Sequence, residues 1–215
     1  MRKFSYLMFS EILLQNRLYK LVIYNIQFLL LGSICLFFIS SNSYSGLGGF
    51  FLIAGLPIAA LATSRNSIRD ELSDGSLDLY MVTSDILQII IAKFLGLFVC
   101  NIVSFAISLI ISAIIYSMDY HTSVLIMILA IISLMQISAV SILLSSVEVY
   151  FRSKSNLVSF TVIPLMIPNL IITGMAISGD IEASSAIWIL SAVSIIIIPS
   201  SLGFSGYLVR NIYNI

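Results

Sequence analysis

The sequence predicts an all-α membrane protein with six transmembrane helices. Of its 215 residues 60% are hydrophobic and 9% charged, and the mean hydropathy is +1.11. Soluble domains carry about 25% charged residues. Six apolar runs approach or exceed the roughly 20 residues that a membrane-spanning helix needs, at about 21–39, 47–63, 86–116, 123–147, 157–177 and 185–208. The polar segments between them are short, so residues 1–215 are predicted to form one transmembrane domain.

Residues 2–20 precede the first run and predict a helix that lies in the membrane surface. A helical wheel gathers apolar side chains on one side, namely Phe4, Leu7, Met8, Leu14 and Leu18. The opposite side carries Arg2, Arg17 and Lys20. Glu11 and Gln15 interrupt the apolar side. The pattern is typical of an interfacial amphipathic helix.

The distribution of lysine and arginine predicts the orientation. With six spans, all ten basic residues fall on one side of the membrane: Arg2, Lys3, Arg17, Lys20, Arg65, Arg69, Lys93, Arg152, Lys154 and Arg210. The opposite loops contain only the acidic residues Asp119, Asp180 and Glu182. Cytoplasmic loops carry the excess of lysine and arginine. Both termini are therefore expected in the cytoplasm.

Residues 65–85, here called the acidic segment, concentrate the polar character of the chain. Half of the ten acidic residues lie there, namely Asp70, Glu71, Asp74, Asp78 and Asp85. Only Arg65 and Arg69 oppose them, which leaves a local charge of about −3. The orientation above places the segment in the cytoplasm. A solvated loop between two spans is the alternative interpretation.

Turn and capping signals give the acidic segment a predicted shape. Ser67 followed by Asp70 predicts the start of a short helix, and Asp85 followed by Gln88 predicts the start of the third span. Asp74-Gly75 predicts a turn, because glycine accepts a positive φ. Apolar side chains between these signals could lie on a membrane interface or in a partner's groove: Leu72, Leu77, Leu79, Tyr80 and Met81.

The predicted spans lack the chemistry of an enzyme or an ion-driven transporter. Their cores contain no Asp, Glu, Lys, Arg or His, and Lys93 lies near the cytoplasmic end of the third span, within snorkelling reach of the interface. No G-x-x-x-x-G-K-[ST], H-E-x-x-H or G-x-S-x-G pattern is present. Cys35 and Cys100 form no metal-ligand spacing. We expect a non-catalytic subunit whose energy comes from a partner.

Isolated residues have modest predicted roles. His121 lies in an outer turn without a second ligand, so haem or metal binding there is not expected. Trp188 suits an interfacial anchor. Pro164 and Pro168 lie four residues apart in the fifth span and predict a kinked helix.

Two motifs resemble those of a known family. Residues 68–78, Ile-Arg-Asp-Glu-Leu-Ser-Asp-Gly-Ser-Leu-Asp, resemble the F-R-D-D-x-x-D-G-S-L-E signature of the haem exporter protein B family (CcmB), the membrane subunit of the cytochrome c maturation ABC system. Residues 163–168, Ile-Pro-Leu-Met-Ile-Pro, resemble the family's L-P-L-x-I-P. Ile68 replaces the aromatic residue, and residues 80–85 lack the family's proline. Length, spans and motif positions extend the resemblance over nearly the whole chain.

The resemblance implies an ABC-2-like (type V) exporter permease with an N-terminal interfacial helix and a cytoplasmic coupling helix. The coupling helix, between spans two and three, would rest on a separate ATPase subunit. The residues that match the signature, and would couple to the ATPase, are Arg69, Asp70, Glu71, Asp74, Gly75, Ser76, Leu77 and Asp78. No cofactor is expected in this chain, since ATP would bind the partner subunit and haem would be handled by the complex.

The resemblance also implies the partners and the membrane. They are an ABC ATPase, a haem-handling membrane protein, a small single-span protein, the periplasmic haem chaperone and membrane lipid, with no nucleic acid. The bacterial inner membrane is expected, and the mitochondrial inner membrane is the alternative. The chain has no tryptophan-rich haem motif and no pair of outer histidines. A mechanical role in ATP-driven loading and release of the haem chaperone is therefore favoured.

Two alternatives share this sequence pattern. The first is an ABC-2 permease that exports a drug, lipid or glycan, which a deletion strain with normal c-type cytochromes would favour. The second is a scaffold that holds a haem-handling complex together without moving. Full cytochrome assembly with an ATPase-dead partner would favour the scaffold.

Overall fold

The computed structural model describes residues 2–17, 20–39, 52, 54–55, 68, 71–72, 74–151 and 162–213. Regular secondary structure in these residues is entirely helical. The helices are α1 Arg2–Arg17, α2 Leu21–Ile39, α3 Ser76–Thr83, α4 Ile86–Ile115, α5 Tyr120–Tyr150, α6 Val162–Ser178 and α7 Ala183–Tyr213. The predicted span at 47–63 lies mostly outside the described residues, and residues 152–161 lie wholly outside them.

Three of these helices are long and apolar enough to cross a membrane, at Ile86–Ile115, Tyr120–Tyr150 and Ala183–Ile212. A fourth candidate arises if α1 and α2, whose Tyr6–Asn16 and Leu21–Cys35 parts are inclined by 52°, form one broken span. The chain is therefore an all-helical, multi-pass membrane protein. The count of six spans stays a prediction.

Helix α5 is at the centre of the bundle and packs against α4, α6 and α7. Its apolar side chains form the main core with residues of α4 and α7. Fully buried members include Phe105 from α4, Ile126, Leu129 and Leu134 from α5, and Leu190 from α7. A second core lies nearer the start of α4, around Ile90, Phe94 and Leu97.

Helices α2 and α4 run in the same direction. Asn25 on α2 donates its side-chain amide to Asn101 Oδ1 on α4 over 2.8 Å. Further along both helices, the Tyr116 hydroxyl donates to the carbonyl oxygen of Ser33 over 2.6 Å. The end of α2 and the start of α4 consequently lie at opposite ends of the bundle.

Helices α5 and α7 also run in the same direction. Gln136 Nε2 on α5 donates to Ser194 Oγ on α7 over 2.7 Å. Ten residues further along α5, the hydroxyls of Ser146 and Ser205 share a hydrogen bond. Val162–Ser178 lies between these two helices in the chain, and Asn169 on it bonds α5.

Helix α1 packs against α4 through a row that the helical wheel did not predict. The buried row is Leu7, Glu11 and Gln15, and large apolar side chains on other sides, Tyr6 and Phe9 among them, are exposed. The two polar residues that interrupt the apolar side are thus the most deeply buried part of the helix. The helical wheel predicts which side of the helix faces water and which faces lipid, but this side of α1 contacts another helix of the protein.

Candidate functional site

The acidic segment contains the predicted turn. Gly75 has φ +72°, a left-handed conformation that glycine adopts without steric cost, and its N–H donates to the Leu72 carbonyl over 3.4 Å. Helix α3 begins at the next residue, where the Ser76 hydroxyl donates to the Glu71 carbonyl over 3.3 Å. The turn prediction at Asp74-Gly75 is confirmed.

The inner face of the acidic segment is part of the second core. Ile68 and Leu77 are both 2% exposed and pack with residues of α4 and α5. The backbone N–H of Ile68 donates to Ser145 Oγ on α5 over 3.2 Å. The expectation that Leu77 offers an apolar surface to a partner or the membrane is therefore wrong, because the protein's own core uses it.

The outer face of the segment is acidic and open. Asp74, Asp78 and Asp85 are exposed, and Val82, one turn after Asp78, is 86% exposed. One side of the segment therefore holds it to the bundle, and the other presents carboxylates and one apolar side chain.

An ion triad of Glu11, Glu71 and Lys93 joins the segment to two helices. Lys93 Nζ on α4 donates to Glu11 Oε1 on α1 over 3.0 Å and also to Glu71 Oε1 of the acidic segment. Lys93 is 0% exposed, and both carboxylates are buried. The expectation that Lys93 snorkels to the interface is wrong, since two partner carboxylates compensate the charge inside the protein.

The triad makes the three elements mutually dependent. Removing Lys93, the one cation that both carboxylates share, leaves uncompensated buried charge and costs about 3–5 kcal/mol. Gly96, one turn beyond Lys93, brings α1 close, because a Cβ there would lie 3.2 Å from Glu11 Cβ. α1 and α4 thus behave as one unit at this level, and Glu71 attaches the acidic segment to it.

Tyr80 on α3 extends this contact. Its hydroxyl and the side chain of Ser10 on α1 are hydrogen-bonded. Partial burial, and then the nearby carboxylates of Glu11 and Glu71, raise the pKa of the Tyr80 phenol above its usual 10.0. The phenol stays neutral at physiological pH and links α3 directly to α1.

Neutral hydrogen bonds connect the helices deeper in the bundle. Asn101, which accepts from Asn25, donates in turn to Ser138 Oγ on α5 over 3.3 Å. A second group, called the amide cluster here, consists of Ser133, Gln136, Asn169 and Ser194. Asn169 Nδ2 on α6 donates to Gln136 Oε1 over 3.0 Å and its Oδ1 accepts from Ser133 over 3.2 Å.

Neither the contacts of Asn101 nor the amide cluster was predicted from the sequence, because only charged residues were considered within the apolar runs. The available signal was the few amide side chains inside those runs, which need partners when buried. For the triad, the signal was the one basic residue within a predicted span together with the one acidic residue of α1.

The remaining predicted residues are distributed as follows. Arg69 and Asp70, like the Ser67–Asp70 capping pair, lie outside the described residues. Asp85 is the N-cap of α4, but its side chain makes no capping hydrogen bond; its carbonyl accepts from the Gln88 N–H over 2.9 Å instead. The predicted start of the helix is confirmed, and the predicted side-chain cap is wrong.

Pro164 and Pro168 both fall within α6. The kink stays a prediction. His121 is exposed and packs edge-on against Tyr120, and Trp188 is 77% exposed. Within the described ranges, no three His, Cys, Asp or Glu side chains come together as a metal site.

Comparison with known proteins identifies the family. The sequence matches the family model described as CcmB protein over residues 5–203. The chain belongs to the CcmB family. An uncharacterized protein of Rickettsia prowazekii is 29% identical, and one of Rickettsia conorii 28% identical, each over 95% of both chains.

CcmB membership places the chain among the haem exporter permeases of cytochrome c maturation. Members are transporter permease subunits, typically non-catalytic, and belong to an ABC transporter complex with other Ccm components. The acidic segment and its ion triad lie within the matched residues.

Proposed function

We propose that this subunit couples ATP hydrolysis by a separate ATPase to haem delivery and to release of the periplasmic haem chaperone. The observation that carries the proposal is the two-faced acidic segment: Leu77 and Glu71 hold it to the bundle, while Asp74 and Asp78 face outward. A partner that binds the outer face pulls on elements attached to the inner face. In this proposal the chain itself holds no cofactor, and ATP binds the partner.

The contacts indicate a route for the motion. Glu71 passes displacement to Lys93 on α4, and through Lys93 to Glu11 on α1. Ile68 passes it to Ser145 on α5, the helix around which the bundle is packed. Because the segment is short and turns at a fixed left-handed glycine, little displacement would be lost to disorder.

The proposed topology is six spans of an ABC-2-like exporter in the bacterial inner membrane, with both termini cytoplasmic. Helix direction supports it. α2 and α4 run the same way, so the chain between them must recross the bundle, as a span at 47–63 would. Likewise, α6 would be the return crossing between the parallel helices α5 and α7.

Cysteine labelling tests the topology. Single cysteines at Ser43, His121 and Ser184, in a chain with Cys35 and Cys100 replaced, should react with an impermeant reagent from outside. A cysteine at Ser73 should react only after the membrane is opened. Outside labelling at Ser73 would overturn the topology.

Matched neutralisations test the coupling role. Asp74→Asn should reduce the ATPase subunit that co-purifies, and Asp74→Lys should reduce it further, since we expect a basic rim on the partner. The loss should be greater at low salt, where charges are screened least. Asp180→Asn, in the predicted outer turn, should change neither co-purification nor c-type cytochrome levels. Normal binding and cytochrome maturation in both Asp74 variants would leave the acidic segment as a solvated loop.

A further inference from the structure

An open groove lies between the start of α4 and the end of α7. Its volume is about 770 Å³, within the range of roughly 300–1,000 Å³ that is common for small-molecule sites. Met81 and Leu87 line one wall, and Tyr207 on α7 lines the other. Leu87 is 54% exposed and Tyr207 60%. Because α4 and α7 are both long and apolar enough to cross a membrane, the groove lies where the ends of two such helices meet.

Two glycines on α7 keep the groove open. Gly203 and Gly206 line it, and a Cβ added at Gly203 would meet no atom within 4 Å. Ile196, which is 72% exposed, Ser200, which is also exposed, Gly203 and Tyr207 follow one another at intervals of three or four residues. That spacing places them on one side of the helix. The groove therefore opens onto an exposed, largely apolar side of α7, which has room for an acyl chain.

Among the described residues, one charge of each sign lines the groove. Asp85 is the N-cap residue of α4, and its side chain makes no capping hydrogen bond. Arg210 lies in the last turn of α7, one turn after Tyr207. Both are exposed, and the ion pairs within the described ranges are those of Lys93, so Asp85 and Arg210 pair neither with each other nor with another side chain there. An acid and a base that share a groove without pairing can hold the two opposite charges of one ligand.

These charges and the apolar walls together indicate the class of ligand. Anionic lipids bind clusters of lysine and arginine, whereas the two charges that line this groove cancel. A zwitterionic headgroup matches both of them, because its phosphate accepts hydrogen bonds from a guanidinium and a primary ammonium donates them to a carboxylate. A choline headgroup has no N–H and cannot donate to Asp85. A phosphatidylglycerol headgroup offers that carboxylate no cation.

We propose that this groove binds a phospholipid with an ethanolamine headgroup. Arg210 holds the phosphate, Asp85 holds the ammonium, and an acyl chain passes Gly203 along the exposed side of α7. Since Met81 belongs to α3, the bound lipid joins the end of the acidic segment to α7. The groove is thus a lipid site that contributes to the contact between these two elements.

Lipid binding to the purified permease tests the proposal. The protein in detergent is mixed with equal amounts of dioleoyl phosphatidylethanolamine, phosphatidylglycerol and phosphatidylcholine, and native mass spectrometry counts the lipids that it retains. Wild type should retain the ethanolamine lipid at least about threefold over either competitor, the size of effect expected for one exposed ion pair. Equal retention of the three, or a preference for the anionic lipid, would overturn the proposal.

Neutralising each charge assigns the two halves of the headgroup. Arg210→Gln and Asp85→Asn should each abolish the preference, and Asp85→Asn should also raise the share of phosphatidylglycerol, because a cation alone then remains. Asp119→Asn is the matched control: Asp119 is the N-cap residue of α5, likewise without a side-chain capping bond, and should leave the preference intact. A preference that survives in both groove variants would overturn the proposal, since the lipid would then bind elsewhere.

Filling the groove tests its location without changing a charge. Gly203→Phe should retain one ethanolamine lipid fewer than wild type, whereas Gly203→Ala should retain the same number. Ile110→Phe, at a residue that is 63% exposed on α4, controls for a new aromatic side chain on the surface. If Gly203→Phe changes the number of permease subunits in the particle and not the number of lipids, the groove is an interface between copies, and the proposal is wrong.

Discussion

The ion triad and the amide cluster both join helices through buried polar side chains, the triad with charged groups and the cluster with neutral ones. Lys93 lies seven residues into α4, about 10 Å along its axis, and is held by two carboxylates from separate elements. Gln136, near the middle of α5, is held by the amide of Asn169 and the hydroxyl of Ser194. Both satisfy buried polar groups between helices, but only the triad includes the acidic segment.

The difference lies in what the loss of one partner costs. Loss of Lys93 leaves two buried carboxylates without a cation, which costs several kcal/mol, and it detaches α1 and the acidic segment from α4 at once. Neutral side-chain bonds between membrane helices average about 0.6 kcal/mol and reach about 1.7 kcal/mol. The amide cluster therefore tunes helix packing, whereas the triad fixes the relation between a surface segment and the bundle.

The largest effect is expected from Lys93→Met. It leaves Glu11 and Glu71 facing each other without a cation, at a cost of about 3–5 kcal/mol. Permease levels in the membrane should fall severalfold, and the melting temperature in detergent should drop. Wild-type levels and stability would mean that the triad contributes nothing to folding.

A triple variant separates stability from coupling. Glu11→Leu, Glu71→Leu and Lys93→Met together replace the triad by apolar side chains, which is often neutral for stability. We expect permease levels to recover and c-type cytochromes to stay low. Recovery of both would make the triad a structural element alone.

Gly75→Val comes next and acts on the segment without touching its charges. A β-branched residue at φ +72° costs about 1–3 kcal/mol of local strain. Membrane levels should be normal, because no span residue changes, while ATPase binding weakens and cytochrome maturation is lost. Gly206→Ala, at a glycine without positive φ, is the control and should behave as wild type.

A smaller effect is expected in the amide cluster. Gln136→Leu and Asn169→Leu should each lower the stability of the purified permease by about 1 kcal/mol, and the double variant should show a coupling energy of at most about 1.7 kcal/mol. Thermal unfolding of the four proteins in one detergent measures both quantities. Effects as large as that of Lys93→Met would remove the distinction between the two sites.

The smallest effect is expected from His121→Ala. The side chain is exposed and contacts Tyr120, and such substitutions usually change stability by less than about 0.5 kcal/mol. Cytochrome c levels in a complemented deletion strain should be near normal. Lost maturation at normal permease levels would assign a function to the outer turn.

Hydropathy alone predicted most of the helix positions. The predicted first span coincides with Leu21–Ile39, and the third ends one residue beyond Ile86–Ile115. Tyr120–Tyr150 extends three residues past its predicted span at each end, because the helix continues where hydropathy falls and Glu148 is still buried.

The inward contacts of the acidic segment could not be predicted in the same way. Its turn follows from local sequence, since Gly75 alone determines the left-handed residue. The burial of Leu77, and of Glu71 against Lys93, depends on how α4 and α5 pack, and no local pattern encodes that. One contact of the triad could have been predicted from the sequence, because Lys93 is the one lysine within a predicted span and Glu11 is the one glutamate of α1.

The order of residues in the triad bears on how the chain is made. Glu11 and Glu71 both precede Lys93 in the sequence, so both counter-ions are synthesised and leave the ribosome before the lysine. N-terminal parts of a chain are available for folding first. Both partner carboxylates are therefore already part of the chain when helix α4, with its one lysine, inserts into the lipid. A chain that lacks residues 1–20 should insert this helix poorly, which makes the N-terminal helix an assembly factor built into the polypeptide.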